Sequence, residues 1–310
     1  MFFKKRRLIL RVFAGLGNQQ FQYAYAKSMA LKTKRKLILD ASYFLPRYHP
    51  IKHQGFFYPY KLDLFGVKEK KTGILTRELV GLMNRHPLIQ KLYLKIQTLP
   101  IFSFFLPLLV MDSESIENQC FSTQRDIVIS GYFQKGEGLE KYSEQFLNWI
   151  HASFEISEQN RKFEAMAKLE NSVSVHARRG DYLKAGIYQI LGLDYYQKAL
   201  EKIQEKVEVS HLLIFSDDIQ WAKENLKFDV PCTYVDSDGP DYEHQYLMSL
   251  CGHNIIANST FSWWAAMMNK NSNKVICSPR DWFTHVKTEE LIFVPMQWVQ
   301  IAINGHSAVE

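Results

Sequence analysis

The sequence predicts an α/β protein with two domains, each a parallel sheet wrapped by helices, that face each other across a cleft. The chain has 310 residues, which is about twice a typical domain length of roughly 150 residues. A strand, a tight glycine turn, a helix and a second strand follow one another at its start. After residue 151, β-rich runs alternate regularly with helical patterns, as in parallel sheets. We therefore expect one domain at residues 1–150 and a second at 151–310.

The first half contains one clear βαβ unit followed by a less regular stretch. Its helix is predicted from apolar side chains that recur with a period near 3.6 residues. Aromatic residues, proline and histidine indicate a loop in the part that follows the second strand. The predicted elements are a strand at 8–13, a turn at 14–18, a helix at 19–33, a strand at 36–40, a loop at 43–60, helical character at 74–99 and a strand at 127–130.

The second half has the more regular pattern. Short runs rich in β-branched residues are separated by segments with helical periodicity, and Asp194 is a candidate N-cap for one of these helices. The predicted strands lie at 172–177, 211–215, 232–235, 254–257 and 274–277, and the predicted helices at 161–169, 194–206, 219–226, 242–250 and 262–268.

Charge and cysteine content narrow the class of partner. The formal net charge is +6, which suits an anionic ligand such as a nucleotide diphosphate or an anionic membrane surface. No basic stripe with interleaved aromatics is present, so nucleic acid is not expected. The basic run at residues 4–7 is interpreted as a solvated terminus. The four cysteines have no Cys-x-x-Cys spacing, so neither zinc nor thiol redox chemistry is expected, and free thiols suit a reducing cytoplasm.

Two apolar stretches are candidates for a signal peptide or a membrane contact. The run at residues 8–10 ends at Arg11, and three apolar residues are too few for a signal peptide. Residues 101–111 are too short to span a bilayer, and Pro107 interrupts them. This stretch is either a core segment or an interfacial one, so peripheral contact with the inner membrane face stays open.

Ligands of parallel α/β sheets bind at the carboxyl ends of the strands, and four polar clusters follow predicted strands. The first contains Gly15, Gly17 and Asn18. Glycines after a strand let the backbone approach a ligand, and a helix N-terminus favours negative charge. Gln20 stands where the third glycine of a dinucleotide fingerprint would fall. A tight turn without a ligand accounts for the same residues.

The second cluster contains His176, Arg178, Arg179 and Asp181. An arginine fork matches the oxygens of a diphosphate, and Asp181 is placed to orient one of the arginines. His176 is a candidate donor to a base or a phosphate. A structural Arg–Asp pair that ties the strand to the loop is the alternative.

The third cluster is Asp217 with Asp218, which can accept hydrogen bonds from ribose hydroxyls or a guanine edge. Either residue can instead cap the following helix.

The fourth cluster lies just before a predicted helix and contains Asn258, Ser259, Thr260 and Ser262. Hydroxyls and backbone amides at a helix start can hold phosphate. The alternative is an N-cap, with the two tryptophans that follow as core residues.

Asp236 and Asp238 form an Asp-x-Asp pattern of the kind that holds a divalent ion in many glycosyltransferases. Gly239 and Pro240 follow and favour a turn instead. Taken together, the clusters describe cations, carboxylates and a phosphate nest in one α/β domain. They indicate a nucleotide diphosphate ligand with no requirement for metal.

At these same residues the sequence resembles the α-1,2-fucosyltransferases of glycosyltransferase family 11, bacterial type. The resemblance extends in order from residue 15 to residue 266, whereas residues 41–125 contribute little. The matching segments are Gly15–Gln19, Phe21–Ala24, His176–Tyr182, Phe215–Asp218, Leu247–Cys251 and Asn258–Ala266.

The resemblance implies a GT-B-like architecture of two Rossmann-like domains, with an acceptor-side domain first and a GDP-sugar-binding domain second. It also implies inverting transfer of L-fucose from GDP-β-L-fucose to the 2-hydroxyl of a galactoside. No metal and no cofactor other than the donor substrate are implied. The expected acceptor is a galactose-containing glycan, with surface glycans such as O-antigen or capsule as the setting.

The resemblance also suggests roles for individual residues. Arg178 would contact the donor diphosphate, His176 would lie near the guanine, and Asn18 would face the diphosphate or the reacting centre. The hydroxyl cluster that contains Ser259 would hold phosphate. Related α-1,6 enzymes place a glutamate several residues after the arginine pair, whereas residues 183–193 contain no acidic side chain. Asp181 and Asp194 are candidate bases, with arginine pairing and helix capping as their alternatives, so the base is left unassigned.

Two other functions fit the same clusters. One is transfer of a different GDP-sugar, or formation of a different linkage, on the same scaffold. The other is a non-catalytic nucleotide- or carbohydrate-binding protein, although all four polar clusters are intact.

Overall fold

The structure is a computed structural model that describes residues 6–49, 58–103, 106–111, 113–135 and 139–303. The chain forms two compact units, Met1–Ser153 and Phe154–Glu310. Each unit has a parallel sheet of its own, with four strands in the first and six in the second. The expectation of an α/β protein with parallel sheets in two domains is confirmed.

The N-terminal unit begins with the predicted βαβ motif. Its described strands are β1 (Arg7–Arg11), β2 (Lys36–Asp40), β3 (Leu108–Val110) and β4 (Ile127–Ile129). They form a sheet of the order β2-β1-β4-β3, and all strand pairs are parallel. Its described helices are α1 (Leu16–Lys32), α2 (Ile74–Arg85), α3 (Pro87–Ile96), α4 (Pro100–Ser103), α5 (Ser113–Ser122) and α6 (Leu139–Leu147), with short 3₁₀ turns at Ser42–Phe44, Pro46–Tyr48 and Leu62–Phe65.

The structure corrects two expectations for the N-terminal unit. The helical character expected over 74–99 is divided between α2 and α3, because Pro87 disfavours helical dihedrals at His86, which is extended (φ −123°, ψ 98°). The apolar stretch 101–111 contains β3, whose Leu109 and Val110 are buried, while Ile101 is 70% exposed. This stretch therefore combines a core strand with an exposed apolar end. Part of the predicted loop, residues 50–57, lies outside the described residues.

The C-terminal unit alternates strands and helices as predicted. The observed bounds differ from the predicted ones by at most three residues, and the strand predicted at 172–177 matches. Gly192 rather than Asp194 is the N-cap of the helix Leu193–Gln204, and Asp194 lies in its first turn. The described strands are β5 (Ser172–Ala177), β6 (His211–Ser216), β7 (Cys232–Tyr234), β8 (His253–Ile255), β9 (Ile276–Pro279) and β10 (Val299–Ile301). The described helices are α7 (Glu158–Ala167), α8 (Tyr182–Ala185), α9 (Leu193–Gln204), α10 (Ile219–Asn225), α11 (Asp241–Leu250), α12 (Thr260–Met268) and α13 (Thr288–Leu291).

The six-stranded sheet has the order β10-β9-β8-β5-β6-β7 and is parallel throughout. All residues of β5 are buried, as expected for a central strand covered on both faces. The chain proceeds from β5 through β6 to β7 on one side and then returns to β8 on the other side of β5. Ligands of such sheets bind at the carboxyl ends of the strands beside this reversal. The segments after β5, β6 and β8 meet at that edge.

Helices cover both faces of this sheet. Successive residues of β6 point to opposite faces, so Leu212 and Ile214 join one buried cluster with Tyr195. Leu213 joins the other cluster, together with Met248. Two packed layers therefore hold the strands rigidly below the polar edge.

Candidate functional site

Arg178 is the first residue after β5, and two carboxylates hold its side chain. Its Nη2 lies 2.7 Å from Oδ1 of Asp181, and its Nε lies 3.2 Å from Oδ2 of Asp217. Asp217 follows β6, whose last residue, Ser216, is opposite Ala177 in the sheet. The structure therefore brings together the arginine of the second cluster and an aspartate of the third. Ionised pairs of this kind fix the direction of a guanidinium group.

Arg179 lies on the other side of the same carboxylate. Its backbone nitrogen donates to Oδ1 of Asp217 at 2.8 Å. Its guanidinium carbon lies 3.7 Å from the ring centroid of Trp221, in cation–π contact. Its Nε is buried and has no hydrogen-bond partner among the described residues. The two arginines therefore point in different directions, and Trp221, which the sequence did not single out, supports the second one.

Asp218 has a local structural role. Its Oδ1 accepts a hydrogen bond from the backbone nitrogen of Trp221 at 3.1 Å, so it is the N-cap of α10. The backbone nitrogen of Asp218 in turn donates to Oγ of Ser216 at 3.0 Å. Of the two aspartates, Asp217 contacts the arginines, and Asp218 fixes the start of the helix on which Trp221 lies.

Tyr182 connects the arginine cluster to the segment after β8. Its ring centroid lies 5.5 Å from the guanidinium carbon of Arg178. Its hydroxyl donates to the backbone carbonyl of Asn258 at 3.0 Å. The ring also stacks on Tyr188 with centroids 3.8 Å apart. Arg178 and the start of α12 are thus joined through a single aromatic side chain. Only its place within the motif His176–Tyr182 marked this tyrosine in the sequence.

Asn258 is buried and holds two loops in place. Its Nδ2 donates to the carbonyls of Gln189 and Trp282, each at 2.9 Å. Its Oδ1 is buried without a hydrogen-bond partner among the described residues. Asn258 therefore fixes the loops that surround the start of α12.

The N-terminus of α12 carries the predicted hydroxyl cluster. Oγ of Ser259 accepts from the backbone nitrogen of Phe261 at 3.4 Å and caps the helix. Ser262 donates to the carbonyl of Ser259 at 3.3 Å, and both serines are buried. Thr260 is the partly exposed hydroxyl of the group. The amides of a first helical turn attract anions, and Trp263 and Trp264 pack in the core below it.

His176 is the fifth residue of β5 and is 4% exposed. Burial, and then the nearby Arg178 and His244, lower the pKa of its imidazole to about 3. Its Nδ1 has no hydrogen-bond partner among the described residues, and its ring lies 5.7 Å from that of Phe261. His176 is therefore a neutral imidazole near physiological pH.

The glycine turn lies in the N-terminal unit, and its geometry differs from expectation. The helix α1 begins at Leu16 with Gly15 as its N-cap, so Gly17 and Asn18 lie in the first helical turn rather than in the turn before it. The left-handed residue is Ala14 (φ 64°), not a glycine. Oδ1 of Asn18 accepts a hydrogen bond from Gln134 at 2.6 Å.

Asp236 and Asp238 belong to a segment with protein partners. Asp236 forms an ion pair with Lys223, and the intervening Ser237 donates to Oδ1 of Asn160 at 2.6 Å. Within the described ranges, no group of three histidine, cysteine or acidic side chains has the geometry of a metal site.

Comparison with known proteins places these residues in a family. The model of the family "Glycosyl transferase family 11" matches residues 110–302, more than half of the chain. The O-antigen biosynthesis glycosyltransferase WbnK of Escherichia coli is 31% identical over 87% of this chain and 92% of its own. An α-1,2-colitosyltransferase of Escherichia coli is 27% identical over 95% of this chain and 98% of its own.

Two further similarities are to more distant proteins. The galactoside 2-α-L-fucosyltransferase SEC1 of Bos taurus is 29% identical over 44% of this chain and 40% of its own. A solved structure of Arabidopsis thaliana FUT1 in complex with GDP has a TM-score of 0.53 and 14% identity, covering 88% of this chain and 70% of that one. That likeness concerns the fold, which is GT-B-like with two Rossmann-like domains. The chain belongs to glycosyltransferase family 11 and is similar to its bacterial α-1,2-fucosyltransferases.

Proposed function

We propose that this glycosyltransferase transfers L-fucose from GDP-β-L-fucose to the 2-hydroxyl of a galactoside, with inversion at the anomeric carbon. The acceptor is a galactose-containing glycan, and the setting is surface-glycan synthesis, as in the name of the WbnK relative. Both the α-1,2 linkage and the galactoside acceptor rest on the names of relatives. The four free cysteines suit a reducing compartment, so we place the reaction in the cytoplasm.

One observation carries the proposal: Arg178 is held by Asp181 and Asp217 and is linked through Tyr182 to the start of α12. A cation and a helix N-terminus, brought to the same edge of a parallel sheet, form a binding site for a diphosphate. We assign the pyrophosphate of GDP-fucose to this edge. Thr260 and the first-turn amides of α12 are the additional donors.

The proposed chemistry has one bond formed and one broken. The acceptor oxygen bonds to the anomeric carbon while the bond from that carbon to the β-phosphate oxygen breaks, and GDP leaves with the electron pair. Negative charge then accumulates on the leaving diphosphate, and a fixed cation lowers the barrier most where charge develops. Arg178 supplies that cation, and its carboxylate partners set its direction before the donor arrives.

No general base is assigned for the acceptor proton. Asp181 is paired with Arg178, and Asp194 lies in the first turn of α9. In the simplest scheme consistent with these contacts, the proton of the acceptor hydroxyl passes to water after the bond between the donor sugar and the β-phosphate has largely broken. Asn18 remains our candidate from the N-terminal unit for contact with the reacting groups.

A second donor is supported by a specific relative. The colitosyltransferase matches nearly the whole chain, and colitose is the 3-deoxy form of L-fucose. The two sugars differ by one hydroxyl, so a site that hydrogen-bonds the 3-hydroxyl would select fucose strongly, whereas an apolar one would discriminate little. GDP-colitose is therefore the alternative donor within the same site.

The deciding experiment incubates the purified protein with GDP-fucose, GDP-colitose, GDP-mannose or UDP-galactose and a panel of galactosides, in the presence of EDTA. We expect turnover with GDP-fucose and a product whose linkage analysis shows fucose on the galactose 2-hydroxyl. Faster turnover with GDP-colitose than with GDP-fucose would show that GDP-colitose is the preferred donor. Binding of GDP without turnover on any acceptor of the panel would favour a non-catalytic binding protein.

A further inference from the structure

The N-terminal unit presents a set of large apolar side chains to solvent along α3 and α4. Leu88 is 78% exposed, Leu92 58%, Leu99 48% and Ile101 70%. Leu88 and Leu92 are one turn apart on α3, and a group of exposed apolar side chains, unlike a single exposed leucine, indicates an interaction surface. We call the following six residues the outer α3–α4 surface: Leu88, Lys91, Leu92, Lys95, Leu99 and Ile101.

The inner face of α3 is fixed to the sheet, so the direction of its outer face is well defined. Tyr93 is 3% exposed, and its hydroxyl donates to the carbonyl of Pro107 at 2.7 Å. Gln97 donates to the carbonyl of Leu109 at 3.1 Å and accepts from the nitrogen of the same residue at 2.8 Å. Residues 88, 91, 92 and 95 have i, i+3, i+4, i+7 spacing and lie on the opposite side.

Charge on this surface has one sign. Lys91 and Lys95 lie between the leucines and form no ion pair with any residue that the structure describes. From Glu78 to Asp112 the chain has no acidic residue in between, whereas Arg85 adds a third positive charge. When neighbouring leucines insert into an apolar phase, lysine side chains can extend so that their ammonium groups stay at its polar surface. An apolar face interspersed with lysines complements an anionic phospholipid headgroup layer.

We propose that the outer α3–α4 surface docks on an anionic phospholipid bilayer. The leucines enter the boundary between headgroups and acyl chains, and the lysines contact the lipid phosphates. The helices lie in the plane of the interface, with Tyr93 and Gln97 still facing the protein. In the ranges that the structure covers, no helix combines the length and apolar character required to cross a bilayer.

The first test is co-sedimentation of the full chain with vesicles of phosphatidylcholine alone or of phosphatidylcholine mixed with phosphatidylglycerol. The variant Leu88→Ser/Leu92→Ser should partition onto both kinds of vesicle at least about tenfold less than the wild type, because two apolar side chains no longer insert. The matched control is Leu169→Ser/Met296→Ser, which removes two exposed apolar side chains from the C-terminal unit. It should bind as the wild type does.

The second test isolates charge. Lys91→Gln/Lys95→Gln should reduce partitioning onto the anionic vesicles by about 25-fold at low salt, since each lysine contributes about fivefold. Binding to neutral vesicles should be unchanged. Lys227→Gln/Lys270→Gln is the control with the same change in net charge. The difference between the two variants should disappear at high salt, where surface charges are screened.

A fluorophore attached to Leu88→Cys reports insertion independently of affinity, with Leu169→Cys as its control. We expect a blue shift on anionic vesicles for the first label alone. Equal vesicle binding by the leucine variant and the wild type would overturn the proposal. So would a lipid-free dimer that the leucine variant converts to a monomer while vesicle binding stays the same, because the surface would then be a subunit interface.

Discussion

The carboxylate of Asp217 lies 3.2 Å from Nε of Arg178, although the two residues follow different strands. Parallel pairing of β5 with β6 places Ala177 opposite Ser216, so the residues just beyond these strand ends meet. The same carboxylate accepts a hydrogen bond from the backbone nitrogen of Arg179. Asp217 therefore holds both the side chain of one arginine and the backbone of the next.

Replacement of Arg178 tests its role at the leaving diphosphate. Arg178→Ala should reduce kcat by about 10²- to 10³-fold, the usual loss when one fixed donor to developing charge is removed. Initial rates with GDP-fucose measure this, and the far-UV circular dichroism spectrum should stay that of the wild type. Arg280→Ala is the control, since Arg280 is exposed and pairs with its neighbour Asp281. A folded Arg178→Ala protein with near-normal kcat would remove Arg178 from the mechanism.

The position of Asp217 can be tested without changing a charge. A Cβ on Gly180 would lie 2.7 Å from Oδ2 of Asp217, closer than real contacts allow, so Gly180→Ala should push the carboxylate away from Arg178. We expect kcat to fall about tenfold, which corresponds to about 1.4 kcal/mol of transition-state stabilisation. Gly73→Ala is the matched control, because nothing lies within 4 Å of its added Cβ.

A double-mutant cycle separates this mechanism from a general loop effect. In an Asp217→Ser background the collision is absent, so adding Gly180→Ala should change kcat by less than about twofold. If Gly180→Ala lowers kcat by the same factor with and without Asp217, its effect does not act through that carboxylate.

The buried imidazole of His176 predicts a pH dependence of stability. Its pKa is lowered from 6.5 to about 3 in the folded chain. Between these values the unfolded chain binds a proton that the folded chain does not, so stability falls as pH falls through this window. His176→Gln should make the slope of the unfolding free energy against pH shallower by about 1 kcal/mol per pH unit between about pH 6 and 4.

Chemical denaturation at a series of pH values measures that slope. The exposed His285 supplies the control variant, His285→Gln, which should keep the wild-type slope. His244 and His253 also have pKa values lowered by burial, so the His176→Gln protein should retain part of the dependence. An unchanged slope would show that His176 is protonated in the folded chain.

Independence from divalent metal is the fourth prediction. Activity should change by less than about twofold on addition of EDTA, Mg²⁺ or Mn²⁺, because in the proposed mechanism Arg178 and the α12 amides meet the charge of the leaving group. Asp236→Asn/Asp238→Asn should likewise keep kcat within about twofold of the wild type. Loss of activity in EDTA, restored by Mn²⁺ in the wild type but not in this variant, would assign a metal to the Asp-x-Asp segment.

Much of the fold could be predicted from the sequence because local patterns dictate it. The bounds of β2 and β5 match their predictions, since each is a buried run limited by polar residues. The strands β3 and β10 were not predicted. β3 lies within the apolar stretch 101–111, which periodicity alone does not assign to a strand, and β10 adds only three residues after the last predicted strand. The turn at residues 14–18 was misjudged, since α1 starts three residues before the apolar periodicity indicated.

The sequence indicated several of the residues that meet at the polar edge of the second sheet and one of their pairings, but not Trp221 and not the contacts between distant segments. The sequence suggested that Asp181 orients an arginine, and the structure places it on Arg178. Contacts between segments far apart in the chain, such as Arg178 with Asp217 or Tyr182 with Asn258, depend on strand order. Glu243 is another residue whose contacts the sequence did not indicate. Its buried carboxylate accepts hydrogen bonds from Asn160 at 2.7 Å and from Ser157, which are far away in the chain.

The position of β5 in the sheet determines which backbone segments near Arg178 are the most constrained. The strand is paired along both edges, with β6 as far as Ala177 and with β8 as far as Val175. The backbone that leads to Arg178 is therefore held by its neighbours in the sheet. The following segment is held by fewer buried contacts, because Leu183 and Ile187 are exposed, and Gly186 is left-handed (φ 67°). Amide hydrogen exchange should therefore be slowest at Val175 and orders of magnitude faster at Ala185.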